Sequence, residues 1–266
     1  MQPKLGCSGL SIGFERMVTR ERDAVRLVVA AERREFRGIL RNCGPVNELG
    51  WPVAFAAAAE LNGMKCVFAA NGPGRRLADQ VLNAAEVEAG KAGSNILIGA
   101  VISTGFCGGL DPQLALGDIV EATSVVDLDT GRQYASRAIS TTTGCARGVI
   151  LSSDRVATTV EEKSKLRSDS GGALAIEMEA GAVAAWADSL ALPFYCVRVV
   201  SDRAGDGFLL DMNRMRDADG RFDRLKIAGH ALLKPWTRIP GLLKIDRDCR
   251  VAEVKLGEFF ANCHFD

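Results

Sequence analysis

Apolar residues in this chain fall into short unbroken blocks, and these alternate with stretches whose apolar positions recur at helical spacing. Ala24 to Ala30 predicts a first strand, and Glu32 to Leu40 the helix after it. Phe55 to Leu61 and Met64 to Ala70 flank Asn62-Gly63, a pair suited to a tight turn, so they predict a hairpin. Asn71-Gly72-Pro73-Gly74 breaks the second hairpin strand, and Leu77, Val81, Leu82 and Val87 place a helix over Arg75 to Gly90. Ile96 to Thr104 is an apolar strand that runs into a glycine loop at 105–109, and Ile119 to Leu128 is another strand. Val149 to Leu151 leads into Ser152-Ser153-Asp154, and Thr158 to Ser168 predicts a charged, exposed helix.

The next stretch carries the most information. Leu174 to Ile176 is a short apolar strand and Glu179 to Ser189 an Ala-rich helix stopped by Pro193. Phe194 to Val200 has the unbroken apolar character of a buried parallel strand, with Ser201-Asp202 at its end. Consecutive strands of a parallel sheet end on the edge where ligands bind, so Glu179 and Asp202 are expected to face one cleft although they lie 23 residues apart. The fold class expected is α/β, a single three-layer α/β/α domain with a central mixed sheet. Residues 1–22 read as an N-terminal extension, 23–235 as the domain, and 236–266 as a C-terminal helical appendage of the same domain.

Composition narrows the partners. Lys plus Arg and Asp plus Glu both number 33, so no net field favours nucleic acid or an anionic membrane. The two histidines, His230 and His264, lie outside every candidate motif, which disfavours a His-based triad or metal site; no metal and no cofactor is expected. Eight cysteines without C-x-x-C spacing suit reduced, buried thiols and a cytoplasmic protein. The first 22 residues lack the apolar core of a signal peptide, and no apolar run is long enough to span a membrane. Arg224 to Arg250 mixes seven basic with two acidic residues among many apolar ones. This reads as a closing helix with a basic outer face, set against an amphipathic surface that meets lipid; Pro235 and Pro240 are expected to interrupt any long helix, which favours the first reading and makes membrane contact unexpected.

Four motifs resemble one family. They are Ile176-Glu177-Met178-Glu179-Ala180, Ser201-Asp202, the stretch Val101 to Leu110 followed by Gly117-Asp118-Ile119-Val120, and, more weakly, Leu27 to Phe36. In this order they are similar to the purine nucleoside phosphorylase/nucleosidase superfamily, in particular the methylthioadenosine/S-adenosylhomocysteine nucleosidases and the hopanoid-associated phosphorylase-like proteins. The resemblance implies cleavage of the N-glycosidic bond of an adenosine-like nucleoside. Such a reaction needs a proton for the departing base, support for a sugar cation, and a nucleophile.

By that resemblance Asp202 is the general acid that protonates the base, against the simpler role of capping the following turn. Glu179 takes the ribose hydroxyls, Met178 packs beside the sugar and Ser201 completes the acid's motif. Glu177 reads as structural, paired with Arg198. Glu35 activates the attacking water, with Glu32 a possible one-turn slip and a solvated surface charge the competing reading. Gly105, Phe106, Cys107 and Gly108 bring backbone N–H groups to a small anion or water. Phe106 stands where relatives carry a hydroxyl, and Ser103 where hexameric phosphorylases carry an arginine, so hydrolysis is expected over phosphorolysis; Arg75 is a candidate for anionic groups. Val156 and Ala157 occupy the base region without the usual stacking aromatic, leaving backbone contacts, or Phe208 or Trp186, to hold the base. Phosphate as a second partner, an adenosyl lipid or futalosine as substrate, and a non-catalytic nucleoside-binding protein stay open. The resemblance further implies a homodimer or higher homo-oligomer.

Overall fold

The computed structural model describes residues 24–94, 96–208, 211–223, 226–227, 229–230 and 235–265. The expected extension at 1–22 lies outside the described residues, as do Leu225, Leu232 and Leu233 of the basic C-terminal run.

The hairpin and the first long helix form where the pattern placed them. Strands β1 (Val25–Ala30), β2 (Asn47–Glu48), β3 (Phe55–Leu61) and β4 (Met64–Ala70) precede helix α2 (Arg75–Gly90). The segment expected as one helix after β1 is instead a 3-10 turn, Arg33–Phe36, continued by a single α turn, α1 (Arg37–Leu40). The Glu35 carboxylate accepts the Glu32 N–H at 2.8 Å and so closes the chain tightly at its start. Next come β5 (Ile98–Ser103), β6 (Phe106–Gly109), β7 (Ile119–Asp127), β8 (Gln133–Ala135), β9 (Ser140–Thr141) and β10 (Ala146–Ser152). Helix α3 (Val160–Asp169), β11 (Ala175–Glu177), α4 (Ala180–Ser189), β12 (Phe194–Asp202), a 3-10 turn at Met212–Met215, α5 (Pro235–Phe260) and β13 (Cys263–His264) follow.

Eleven strands form one mixed sheet in the order β2-β3-β4-β1-β5-β12-β6-β11-β10-β7-β8. Side chains on β1 alternate between its two faces, as strand geometry requires. Leu27 and Val29 join a cluster with Val81, Leu82 and Ala85 of α2 and Val183, Ala184 and Ala187 of α4. Val28 and Ala30 join Phe36, Ile39, Phe68 and the α5 residues Ala252, Leu256, Phe259 and Phe260 on the other side. This is the expected three-layer arrangement.

Three expectations need correction. The glycine cluster at 105–109 is not a loop: after Gly105 it becomes β6, inserted between β11 and β12. Strands β11 and β12 are also not neighbours in a parallel unit. β6 runs parallel to β12 and antiparallel to β11, so the two motif strands run in opposite directions. Apolar strands buried on both faces read alike in either direction, so the pattern could not reveal this. β7 additionally pairs with β12, which closes β12, β6, β11, β10 and β7 into a ring.

The third correction concerns the C-terminus, where α5 runs unbroken through Pro240. Pro235 is its first residue, where a missing N–H costs nothing, and Pro240 forfeits only one early hydrogen bond. Where α5 crosses α1 the two backbones touch: a Cβ on Gly257 would lie 2.5 Å from the Gly38 carbonyl carbon. That crossing ties α5 to the segment that carries Glu35.

Candidate functional site

A cavity of about 280 Å³ opens over β6 and beneath α5. Of the expected site residues, Glu35, Phe106, Cys107, Gly108, Val156, Ala157, Met178, Glu179, Ser201 and Asp202 all line it. Gly105 does not. The two acids meet without sharing a sheet edge. Ile176 of β11 pairs with Gly108 of β6, and Gly108 pairs with Asp202 of β12, so the short inserted strand serves as the floor between them.

At one end, acids crowd around a single cation. Arg198 is fully buried, donates to the Thr104 carbonyl at 2.5 Å and to Ser103 Oγ at 2.6 Å, forms an ion pair with Glu177, and lies 3.6 Å from Glu179. The expected Glu177–Arg198 pair therefore forms, reaching across β6. Glu177 also accepts the N–H groups of Glu179 and Ala180, which pins the turn into α4. Glu179 accepts the Gly74 N–H at 2.9 Å. Glu35 accepts the Phe106 N–H at 2.7 Å besides that of Glu32. Gly105 has φ +123°, and a Cβ there would lie 2.5 Å from Glu35 Oε1, so only glycine lets this carboxylate settle against the chain.

Three buried carboxylates facing one guanidinium cannot all hold their charge cheaply. Burial pushes the Glu35 carboxyl up to about 7, with its two backbone donors and Arg198 opposing. Burial, then repulsion from Glu177, raises Glu179 as well. Glu35 thus sits near the neutrality that a general base requires.

At the other end, Asp202 is fully engaged. Its Oδ2 accepts from Lys163 Nζ at 2.5 Å and its Oδ1 from Ser201 Oγ at 3.0 Å. Burial raises its pKa while the Lys163 ammonium works in the opposite direction. Lys163 corrects the reading of α3 as a wholly exposed helix: it is 1% exposed, turned inward from an otherwise charged surface. Polar residues on every face of that helix left no periodic signal to find it. Phe208, Met212, Phe222, Ile245 and Cys249 also line the cavity and were not placed there by any motif, although Phe208 had been a candidate aromatic.

Other expectations change on contact. The Phe106 N–H is consumed by Glu35, so it does not offer itself to an anion. Arg75 is ion-paired with Asp127, away from the cavity lining. Trp186, on α4, packs against the apolar cluster and not into the cavity, leaving Phe208 in an aromatic wall that also holds Phe106 and Phe222. Asn213 accepts from the Val156 N–H at 2.9 Å and donates to its carbonyl at 3.0 Å, so the Val156 backbone is already occupied. The seven described cysteines are all free, and burial holds the cavity thiol Cys249 up at about 12, out of the nucleophilic range. Among the described residues no cluster of metal-ligating side chains occurs, and no helix is long and apolar enough to cross a membrane.

The sheet order and its closure by β7 define an α/β protein of the nucleoside phosphorylase/nucleosidase fold. A family model described as "Phosphorylase superfamily" matches residues 54–145 and 143–226, and the chain belongs to that superfamily. It is similar to a 5′-methylthioadenosine/S-adenosylhomocysteine nucleosidase of Mycobacterium bovis, 30% identical over 161 residues that cover 43% of this chain and 63% of the relative. The match thus spans less than two thirds of that relative's length. Among solved structures, the 5′-methylthioadenosine/S-adenosylhomocysteine nucleosidase of Neisseria meningitidis, in complex with methylthio-immucillin-A, superposes with a TM-score of 0.64 at 21% identity over 89% of this chain and 96% of that one. A futalosine hydrolase mutant of Helicobacter pylori gives 0.61 at 15% identity, covering 89% and 96%.

Proposed function

We propose that this protein hydrolyses the N-glycosidic bond of an adenosine-like purine nucleoside. The observation that carries the reading is the single cavity with an acid cluster at one end and Asp202 at the other. Asp202 protonates the leaving base, with Phe208 as the aromatic surface beside it. Glu179, held by the Gly74 N–H, accepts the ribose hydroxyls with Met178 against the sugar. Glu35 takes a proton from the water that attacks the anomeric carbon. Its carboxylate and that of Glu179 also oppose the positive charge that builds on the sugar. The same negative crowding disfavours phosphate as nucleophile, since both terminal nitrogens of Arg198 are engaged by Glu177, Ser103 and Thr104. Ile245 and Cys249 of α5 line the cavity, which supports reading 236–266 as part of the same domain.

A second reading concerns the substrate. The cavity continues into an annex of about 150 Å³ along α5, whose lining combines Phe208, Met212, Leu242 and Ile245 with the charged Asp206, Arg238, Lys244 and Asp248. The apolar members suit an alkyl or lipid substituent, as on an adenosyl lipid, and the charged ones suit the ammonium and carboxylate of an amino-acid tail, so both substrate types belong in the test.

The test is release of free base from adenosine, methylthioadenosine, longer alkylthioadenosines, S-adenosylhomocysteine, inosine and futalosine, with and without phosphate. Phosphate-independent release of adenine is expected, and the rates with alkyl and amino-acid tails decide which substituent the annex takes. Release only with phosphate would make the protein a phosphorylase. Tight binding of these nucleosides with no release would make it a binding protein.

A further inference from the structure

The Asp202 end of the cavity is backed by one charged group that no motif accounts for. Lys163 is buried beneath Asp202, and its ammonium has three acceptors: Asp202 Oδ2 at 2.5 Å, the Arg203 carbonyl at 2.8 Å and the Asp206 carbonyl at 3.1 Å. An ammonium has three N–H donors, so all three are used and none points into the cavity. A neutral amine would turn its lone pair on one of these oxygens. The arrangement therefore selects the charged form and spends it on one carboxylate oxygen.

Asp202 Oδ1 has a different partner. Ser201 Oγ lies 3.0 Å from Oδ1 and 3.2 Å from the Cys107 carbonyl, and its single hydrogen can serve either acceptor. We propose that Lys163 is a positioning residue of the cleavage reaction: it keeps the proton off Oδ2, so that Oδ1 carries the proton given to the base. This rests on the functional reading above. When Oδ1 is protonated, the Ser201 hydroxyl turns to Cys107. As the bond between anomeric carbon and base breaks, its electron pair passes to the base, which takes the Oδ1 proton. Water adds to the sugar and gives its own proton to Glu35. The carboxylate left behind is already paired with Lys163, which makes Asp202 a stronger acid at the moment it is needed.

The other groups around Asp202 do not replace this cation. Asp206 lies on the loop after β12 and acts in the opposite sense, and its carboxylate is held by Arg203 and Lys244. Cys107 on β6 and Cys249 on α5 are thiols that burial keeps protonated. Phe208 places its ring 5.9 Å from Lys163 Nζ and carries no charge.

The experiment compares wild type with Lys163→Met, Lys163→Gln and Lys163→Arg. Two readouts are followed: the Asp202 side-chain carboxyl ¹³C signal against pH, assigned with Asp202→Asn, and the pH profile of kcat on methylthioadenosine. Loss of the cation should move the Asp202 midpoint upward by roughly one pH unit or more. The alkaline limb of kcat should follow it, and kcat should fall by on the order of a hundredfold with KM little changed. Arginine should restore both midpoints toward wild type. A buried Met beside an ionised Asp can unfold the chain, in which case the Gln variant, folded by circular dichroism, supplies the same comparison. An Asp202 midpoint that stays put in a folded Met or Gln variant overturns the inference. Wild-type protein that releases no base from any nucleoside would sink the functional reading instead, and the carbon signal would still decide whether Lys163 controls the Asp202 proton.

Discussion

Replacing Glu35 by Gln tests the electrostatic argument through stability alone, without reference to any substrate. In the folded chain burial carries the Glu35 carboxyl to about 7, against an ordinary 4.5 when exposed. The native state therefore binds its proton more tightly than the unfolded chain does. The stability this confers is complete below pH 4.5 and is lost as pH rises through 7. A separation of about 2.5 in pKa corresponds to about 3 kcal/mol. Glutamine has nearly the same shape and no charge, so the variant should not lose this stability with pH. It does present an amide N–H₂ to one of the two N–H groups, from Glu32 and Phe106, that Glu35 accepts. That mismatch costs about 1–3 kcal/mol at every pH. Urea unfolding of both proteins at pH 5, 6, 7 and 8 is the assay. The variant should be the less stable protein at pH 5, and the difference should shrink, or reverse, by pH 8. Unfolding free energies that stay parallel from pH 5 to 8 would refute the idea that this carboxyl is destabilised by its surroundings. Catalytic sites often carry such local cost in exchange for a reactive group.

Gly105→Ala should destabilise the protein by about 2 kcal/mol or more in denaturant titration, because the backbone there has φ +123° and the new methyl would press on Glu35. Arg198→Met should cost about 3–5 kcal/mol at pH 8 and clearly less at pH 5, where the carboxylates it leaves behind can take up protons. For turnover, the acidic limb of kcat should fall near pH 7 as Glu35 is protonated; a limb near pH 4.5 would remove Glu35 as the base. Gly38→Ala should lower both stability and the rate of base release, since a Cβ at that position would strike the backbone carbonyl of Glu253 and push α5, with Ile245 and Cys249, off the cavity.

Short-range pattern was enough for the elements whose signal is local. The Asn62-Gly63 hairpin and the helix from Arg75 to Gly90 form at the expected bounds because turn chemistry and helical spacing are properties of a few neighbouring residues. The expected site residues came from motifs, and all but Gly105 line one cavity. Arg198 was legible as a charged residue inside an apolar strand, a position that demands a buried partner.

Strand direction, insertion and closure were decided elsewhere. Nothing between Leu174 and Asp202 states that β6, some 70 residues earlier, slips between the two motif strands, or that β7 closes the ring. Lys163 and Asp202 are 39 positions apart, and a lysine on a helix charged all round looks solvated until the fold turns it inward. Sequence alone determined which side chains could do chemistry and the local elements that carry them. Tertiary structure determined which of those groups share a water-poor space, and with it their proton affinities, because desolvation and charge pairing act through distances that chain order does not encode.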